Sequence, residues 1–153
     1  MKLSRGAKEK TVDLNGPNQC ELIDRKEYQS ILARLGADPL RPDADPKRAW
    51  ARIHASKAPI GMLLMDQSVI AGIGNIYRSE ILHLLGIHPK MPGTALTRKQ
   101  FNAMWKLAVR LLNLGVKHNR IITVDEKDLP KDVARVSRKK LFRIFKKPHC
   151  PNC

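Results

Sequence analysis

The chain has 153 residues, of which 42% are apolar, enough to bury the core of one domain of ordinary size. Its formal net charge of +15 favours a polyanionic partner over an acidic or neutral one. No apolar run is long enough for a membrane span, and the basic start MKLSRGAKEK is not followed by the apolar segment of a signal peptide. These features predict an intracellular protein with no membrane contact.

The charge is distributed unevenly along the chain. Residues 1–46 carry eight Lys/Arg against eight Asp/Glu, whereas residues 47–153 carry twenty-one against six. Clustered cations are what neutralisation of phosphates requires, so the second part is predicted to bind nucleic acid. The alternative is a basic surface that only keeps the protein soluble.

In chain order, the first element is a strand-like piece over residues 11–14, which ends in the turn signal Asn-Gly-Pro over residues 15–17. A helix follows, with apolar residues at helical spacing on one face, and ends at Gly36. Asp45 as N-cap and Pro46 at the first helical position predict a second helix.

Three further helices are predicted. The third opens at Pro59, and the fourth is capped by Asn75 and ended by Gly86. The fifth begins with a Thr97/Gln100 capping box. Its apolar face is core packing and comprises Phe101, Met104, Trp105, Ala108, Val109 and Leu112. Residues 113–135 are predicted as loop, with one extended piece over 121–124, before the basic-hydrophobic end SRKKLFRIFKKPHCPNC.

The turn between the third and fourth helices contains Gly72 and Gly74, followed by Asn75. Glycine lets a ligand approach the backbone, and free N–H groups at a helix N-terminus together with the helix dipole attract phosphate. The alternative is a tight crossing of two helices with Asn75 as an ordinary cap. The surrounding positive charge favours phosphate binding.

The residues around this turn carry a family resemblance. The pieces Met-Asp-Gln over 65–67, Gly-Ile-Gly-Asn-Ile-Tyr over 72–77, Glu80, and Gly-Ile-His-Pro over 86–89 resemble the helix-two-turn-helix (H2TH) signature of the formamidopyrimidine-DNA glycosylase and endonuclease VIII family. These base-excision-repair enzymes are DNA glycosylases and AP lyases. The resemblance is dense over residues 57–90 and looser elsewhere. Ile-Gly at 60–61, where the formamidopyrimidine branch usually has Ile-Lys, is closer to the endonuclease VIII branch.

The resemblance implies a mainly α fold: an H2TH DNA-binding domain of about five helices over residues 26–125. A remnant of an N-terminal β-sandwich and linker would precede it over 1–25, and a basic segment with an incomplete zinc ribbon would follow over 126–153. The expected partner is double-stranded DNA that contains damaged or abasic sites. The implied DNA-contact residues are Asn75, Gly72, Gly74, Lys57, Tyr77 and Arg143.

Two functional parts of the family are missing from these residues. The family uses an N-terminal proline as nucleophile with a neighbouring Glu, and this sequence begins Met-Lys-Leu, so we assign no catalytic residue. Glu80 is interpreted as structural support. Cys150 and Cys153 form one Cys-x-x-Cys pair where a zinc ribbon uses two, and His149 could at most add a third ligand. An incomplete ligand set makes stable zinc binding by this chain doubtful.

The sequence therefore predicts the damaged-DNA-binding portion of an endonuclease VIII-like repair enzyme, catalytically incomplete as it stands. One alternative is an active glycosylase assembled with a separate catalytic half. Another is a non-catalytic nucleic-acid-binding module, such as an RNA binder of the ribosomal type.

Overall fold

The computed structural model describes residues 2–5, 8–11 and 21–150, which fall into two compact units, Met1–Ala33 and Arg34–Cys153. In the first unit, β1 (Lys2–Arg5) and β2 (Lys8–Thr11) pair antiparallel, with Lys2 opposite Thr11 and Arg5 opposite Lys8. The strand predicted over residues 11–14 shares only Thr11 with β2, and residues 12–14 lie outside the described part.

Helix α1 (Arg25–Arg34) confirms the first predicted helix. Asp24 and Glu27 cap it reciprocally, because each carboxylate accepts the backbone N–H of the other residue, at 2.9 and 2.7 Å. Its predicted apolar face is not buried: Tyr28 is 50% exposed and Ile31 and Leu32 are 37% exposed. The spacing of the apolar residues thus predicts the helix correctly, but it does not determine whether its apolar face is buried.

The second unit contains the remaining four helices among the described residues, and none of the helices described is long and apolar enough to cross a membrane. Their bounds are α2 (Pro46–His54), α3 (Ile60–Leu63), α4 (Asn75–Leu84) and α5 (Arg98–His118). The predicted N-terminal cap of α2 and that of α5 are both confirmed. Asp45 Oδ1 accepts the N–H of Lys47 at 2.9 Å, and Thr97 and Gln100 form a capping box.

The main core lies between α5 and the shorter helices. Phe101 is fully buried, and its ring lies 5.3 Å from that of Trp50. Most of the predicted α5 face is confirmed, although Trp105 and Val109 are only partly buried and Leu111, which was not predicted, is buried. The mainly α fold class is therefore confirmed by the packing of this unit.

A smaller cluster extends the unit toward the C-terminus. Ile122, Leu141 and Phe142 are buried there, with Leu114 packed against them. Because Leu114 gains these contacts, α5 continues to His118, so the prediction of loop from residue 113 was wrong over 113–118. Residues 121–124 do not form a strand; instead the N–H groups of Thr123 and Val124 both donate to the carbonyl of Leu141.

Candidate nucleic-acid interface

The turn between α3 and α4 is held in shape by Gln67. Its Oε1 accepts the N–H of Gly72 at 2.9 Å, and its Nε2 donates to the carbonyl of Ile73 at 3.0 Å. Backbone bonds from the preceding segment support the same loop: Gly36 N–H donates to Gln67 at 2.8 Å, and Ala71 N–H donates to Ala37 at 3.1 Å. The turn therefore has a defined conformation from internal bonds alone.

Asp66 begins this loop and is also fixed locally. Its Oδ1 accepts the N–H of Ser68 at 2.8 Å. Hydrogen bonds from Ser68 hold the pKa of the Asp66 carboxyl below its usual value. The carboxylate therefore remains charged at neutral pH and continues to hold the loop.

The two glycines of the turn have different roles. Gly72 has φ +87°, a left-handed conformation that favours glycine, but its N–H is already used by Gln67. Gly74 has ordinary extended backbone and is exposed, and no atom of the described residues beyond its chain neighbours lies within 4 Å of where a Cβ would stand. The open approach to the backbone is therefore at Gly74, and the amide of Gly72 is occupied within the protein.

Asn75 is the first residue of α4, not its N-cap as predicted; the N-cap is Gly74, which makes no side-chain cap bond. The side chain of Asn75 is exposed, and its Oδ1 accepts a hydrogen bond from Nη2 of Arg78. In the described part of the chain, no acceptor is bound to the N–H of Gly74, the N–H of Asn75 or the Nδ2 of Asn75. Three donors thus face outward at the positive end of α4.

Arg78 was missed by the sequence analysis. It lies three residues after Asn75, and side chains at that spacing meet on one face of a helix. This bond occupies Oδ1 of Asn75 and leaves its Nδ2 to donate to another partner. The spacing of a cation from a candidate phosphate ligand on one helix is the signal that could have found it.

A cationic groove continues from Arg78. Its cavity volume is about 930 Å³, and its apolar lining includes Leu82, Ile87, Ile144 and Phe145. Arg78, Lys90 and Lys146 also line it. The candidate phosphate donors and this groove share Arg78, so they form one basic surface, which we call the α4 surface.

The other predicted contact residues lie in different environments. Lys57 is exposed in the connection between α2 and α3. Tyr77 is only 7% exposed, and its hydroxyl lies 3.5 Å from the carbonyl of Leu111; burial raises the pKa of its phenol. Because this side chain is part of the core, Tyr77 does not belong to the α4 surface and is not placed to contact DNA there.

Arg143 is partly committed to internal partners. Its guanidinium contacts Asp125 at 2.5 Å, and the side chain is 31% exposed. The pairing neutralises part of its charge, so Arg143 offers less to an external phosphate than Lys146 does.

Only one of the two predicted zinc ligands lies within the described residues. Cys150 is half-buried, and Cys153 lies outside the described part. Within residues 21–150, no group of three or more His, Cys, Asp or Glu side chains could hold a metal ion.

Comparison with known proteins places the chain by both sequence and fold. Endonuclease 8 1 of Mycobacterium tuberculosis is 50% identical over 112 residues, which are 73% of this chain and 42% of that protein. Formamidopyrimidine-DNA glycosylase of Chloroflexus aurantiacus is 45% identical over 83 residues, 54% of this chain and 30% of that protein. A solved complex between the Lactococcus lactis Fpg and DNA containing an abasic site superposes with a TM-score of 0.59 at 25% identity, covering 64% of this chain and 37% of that one.

The extent of these matches defines what is shared. The chain spans less than half the length of the relatives it matches. Residues 35–126, more than half of the chain, match the family described as the formamidopyrimidine-DNA glycosylase H2TH domain. They contain the turn, α4, α5 and the core that supports them, and on this match the chain belongs to the H2TH domain family of the formamidopyrimidine-DNA glycosylases.

Proposed function

We propose that this chain is the damaged-DNA-binding portion of an endonuclease VIII-like DNA glycosylase/AP lyase, and that it grips the sugar-phosphate backbone at the start of α4. The observation that carries the proposal is the exposed and unobstructed backbone at Gly74 and Asn75, the N-terminus of α4. Among the residues that the structure describes, nothing accepts the hydrogen bonds of the donors there, which lie beside Arg78. A phosphate at this position would accept those hydrogen bonds and face the positive end of the helix dipole.

Arg78 prepares the site in this proposal. By donating to Oδ1 of Asn75, its guanidinium leaves the Nδ2 donor for the phosphate. It also places a positive charge next to the bound anion. The groove cations Lys90 and Lys146 extend the contact along the backbone. Lys57, exposed in the connection between α2 and α3, is a further candidate.

The relatives guide the choice of branch. The endonuclease 8 relative is 50% identical and the glycosylase relative 45%, over a longer and a shorter stretch respectively. Together with Ile60-Gly61, this supports the endonuclease VIII-like branch, whose substrates are oxidised pyrimidines. A DNA partner also implies an intracellular location, at the nucleoid.

A second candidate is an active enzyme in which a catalytic half is supplied separately. The observation that favours it is the extent of the match to the endonuclease 8 relative, since the matched residues make up only 42% of that protein's length. Borohydride trapping on abasic DNA, with and without an added catalytic half, separates an active assembly from a binding module. An adduct that forms only in the presence of the added half would support this candidate.

The first test removes the side-chain donor. Asn75→Ala is expected to weaken binding to an abasic-site duplex by about 1 to 3 kcal/mol, the value of a hydrogen bond to a charged group. Fluorescence anisotropy with labelled duplex measures the loss. Asn113→Ala is the matched control, because Asn113 is an exposed asparagine on α5, far along the chain, whose Nδ2 donates to Val109. Equal affinity of the Asn75 variant and wild type would contradict the phosphate role, and tighter binding to structured RNA than to abasic duplex would favour the RNA alternative.

The second test places a methyl group in the open space at Gly74. Gly74→Ala places a methyl group where the structure has open space, so the free energy of unfolding should fall by less than about 1 kcal/mol, the cost of replacing a glycine N-cap. The same methyl would keep a phosphate from the N–H groups, and DNA affinity should fall about 10- to 100-fold. Urea unfolding and anisotropy measure the two effects. A variant that binds DNA as tightly as wild type would show that the backbone at Gly74 is not approached.

A further inference from the structure

The most unusual buried group in the second unit is the carboxylate of Glu80 on α4. Glu80 is fully buried, and no cation of the described residues forms an ion pair with it. It accepts four hydrogen bonds instead. Oε2 accepts from the hydroxyl of Thr123 at 2.7 Å and the N–H of Arg143 at 2.8 Å, and Oε1 accepts from the N–H groups of Ile144 at 2.8 Å and Phe145 at 2.7 Å.

Three of these donors are consecutive backbone amides. Residues 143–145 belong to no helix or strand, so their N–H groups have no secondary-structure partner and converge on the carboxylate as an anion-binding nest. A buried charge without such bonds would be very costly, and buried amides without an acceptor would be costly too. Glu80 and the segment therefore satisfy each other.

The segment held in this way forms one wall of the α4 surface. Ile144, Phe145 and Lys146 line the groove, and Leu82, Ile87 and Arg78 of the α4 region line it together with them. Lys146 has φ +56°, which turns the chain immediately after the nest. The orientation of the Lys146 side chain thus depends on where the preceding three residues are held.

We propose that Glu80 is a positioning residue for DNA binding: it docks residues 143–145 on α4 so that Lys146 joins Arg78 and Asn75 on one phosphate-binding surface. The inference rests on the proposed function. It goes beyond structural support in a general sense, because it assigns to one carboxylate the attachment of the basic C-terminal segment to α4.

Glu80→Gln is the variant that isolates this role. A glutamine amide has nearly the same shape, but its Nε2 donor would face backbone N–H donors, so it can satisfy only one side of the nest. Hydrogen exchange by NMR on the full 153-residue chain reads the result directly. The amides of residues 143–145 should exchange about 10- to 100-fold faster than in wild type, while those of α5 keep their protection. Unchanged protection of residues 143–145 would overturn the proposal.

A double-mutant cycle tests the consequence for DNA. Lys146→Ala should weaken binding to an abasic-site duplex about 3- to 10-fold in the wild-type background and have no effect in the Glu80→Gln background. Asn75→Ala should cost the same in both backgrounds, because the turn is held by Gln67. Glu126→Gln is the matched control for the added positive charge, since Glu126 is an exposed carboxylate paired with Lys117.

The outcomes separate this proposal from the one it rests on. If Lys146→Ala costs the same in both backgrounds, or nothing in wild type, Glu80 does not position Lys146 for DNA even when Asn75→Ala weakens binding. If neither Asn75→Ala nor Lys146→Ala weakens binding, the DNA-binding role of the α4 surface fails as well. General destabilisation by Glu80→Gln would instead raise exchange in α5 and reduce the cost of Asn75→Ala, which would also overturn the positioning role.

Discussion

Replacing Gly36 by alanine is expected to destabilise the second unit by about 3 kcal/mol or more. A Cβ at this position would lie 2.4 Å from the backbone carbon and oxygen of Val69 and 2.6 Å from the carbonyl oxygen of Ser68. These are backbone atoms of the turn, which cannot rotate aside as a side chain can, so the strain is at the upper end of the range for overpacking. Urea unfolding followed by circular dichroism measures the loss.

The same substitution should also disturb the candidate site. Gly36 and Ala37 support the loop that contains Gln67 through two backbone hydrogen bonds, and moving Val69 away breaks that pairing. For the unfolding measurement, Gly74→Ala is the matched control, because it makes the same change in open space. Wild-type stability of the Gly36 variant would mean that the close packing of residues 36–38 on the turn is not maintained in solution.

A steep dependence on salt is the other large effect that we expect. If the α4 surface and its neighbouring lysines neutralise about four to six phosphates, log affinity should fall against log salt with a slope of about −4 to −5. Raising sodium chloride from about 50 to about 200 mM should then lower DNA affinity by about two to three orders of magnitude. Anisotropy titrations at five or six salt concentrations give the slope.

Two comparisons make this measurement specific to the site. Lys146→Ala should reduce the slope by about one, because one phosphate contact is lost, whereas sucrose at matched osmolarity should leave the affinity of wild type almost unchanged. A slope near zero would mean that binding does not depend on phosphate neutralisation. It would contradict the role assigned to the basic half of the chain.

Local signals in the sequence were sufficient for much of the fold. The Asp45-Pro46 start of α2, the Thr97/Gln100 capping box of α5 and the apolar spacing along α5 depend on neighbours within one or two turns, and all three are confirmed. The position of the turn was predicted for the same reason. Its glycines act through local backbone conformation, which the sequence displays directly.

Features that depend on distant partners were not predicted. The continuation of α5 to His118 follows from packing of Leu114 against a cluster formed by residues 122 and 141–142. The four bonds to Glu80 join residues more than forty positions apart, and nothing local to Glu80 indicates them. The hydrogen bond from the Gly72 N–H to Gln67 spans only five residues, but it depends on the conformation of the whole turn, and it leaves Gly74 as the glycine with an open backbone.

The side chain of Gln67 gives the turn a further property. Because its amide already occupies both a donor and an acceptor of the loop, the conformation of residues 67–73 is complete before any ligand arrives. Association therefore requires little ordering of the protein, and the entropy lost at this contact falls mainly on the ligand. A nucleic acid bound at this turn would therefore have to adopt the conformation that the preformed surface requires.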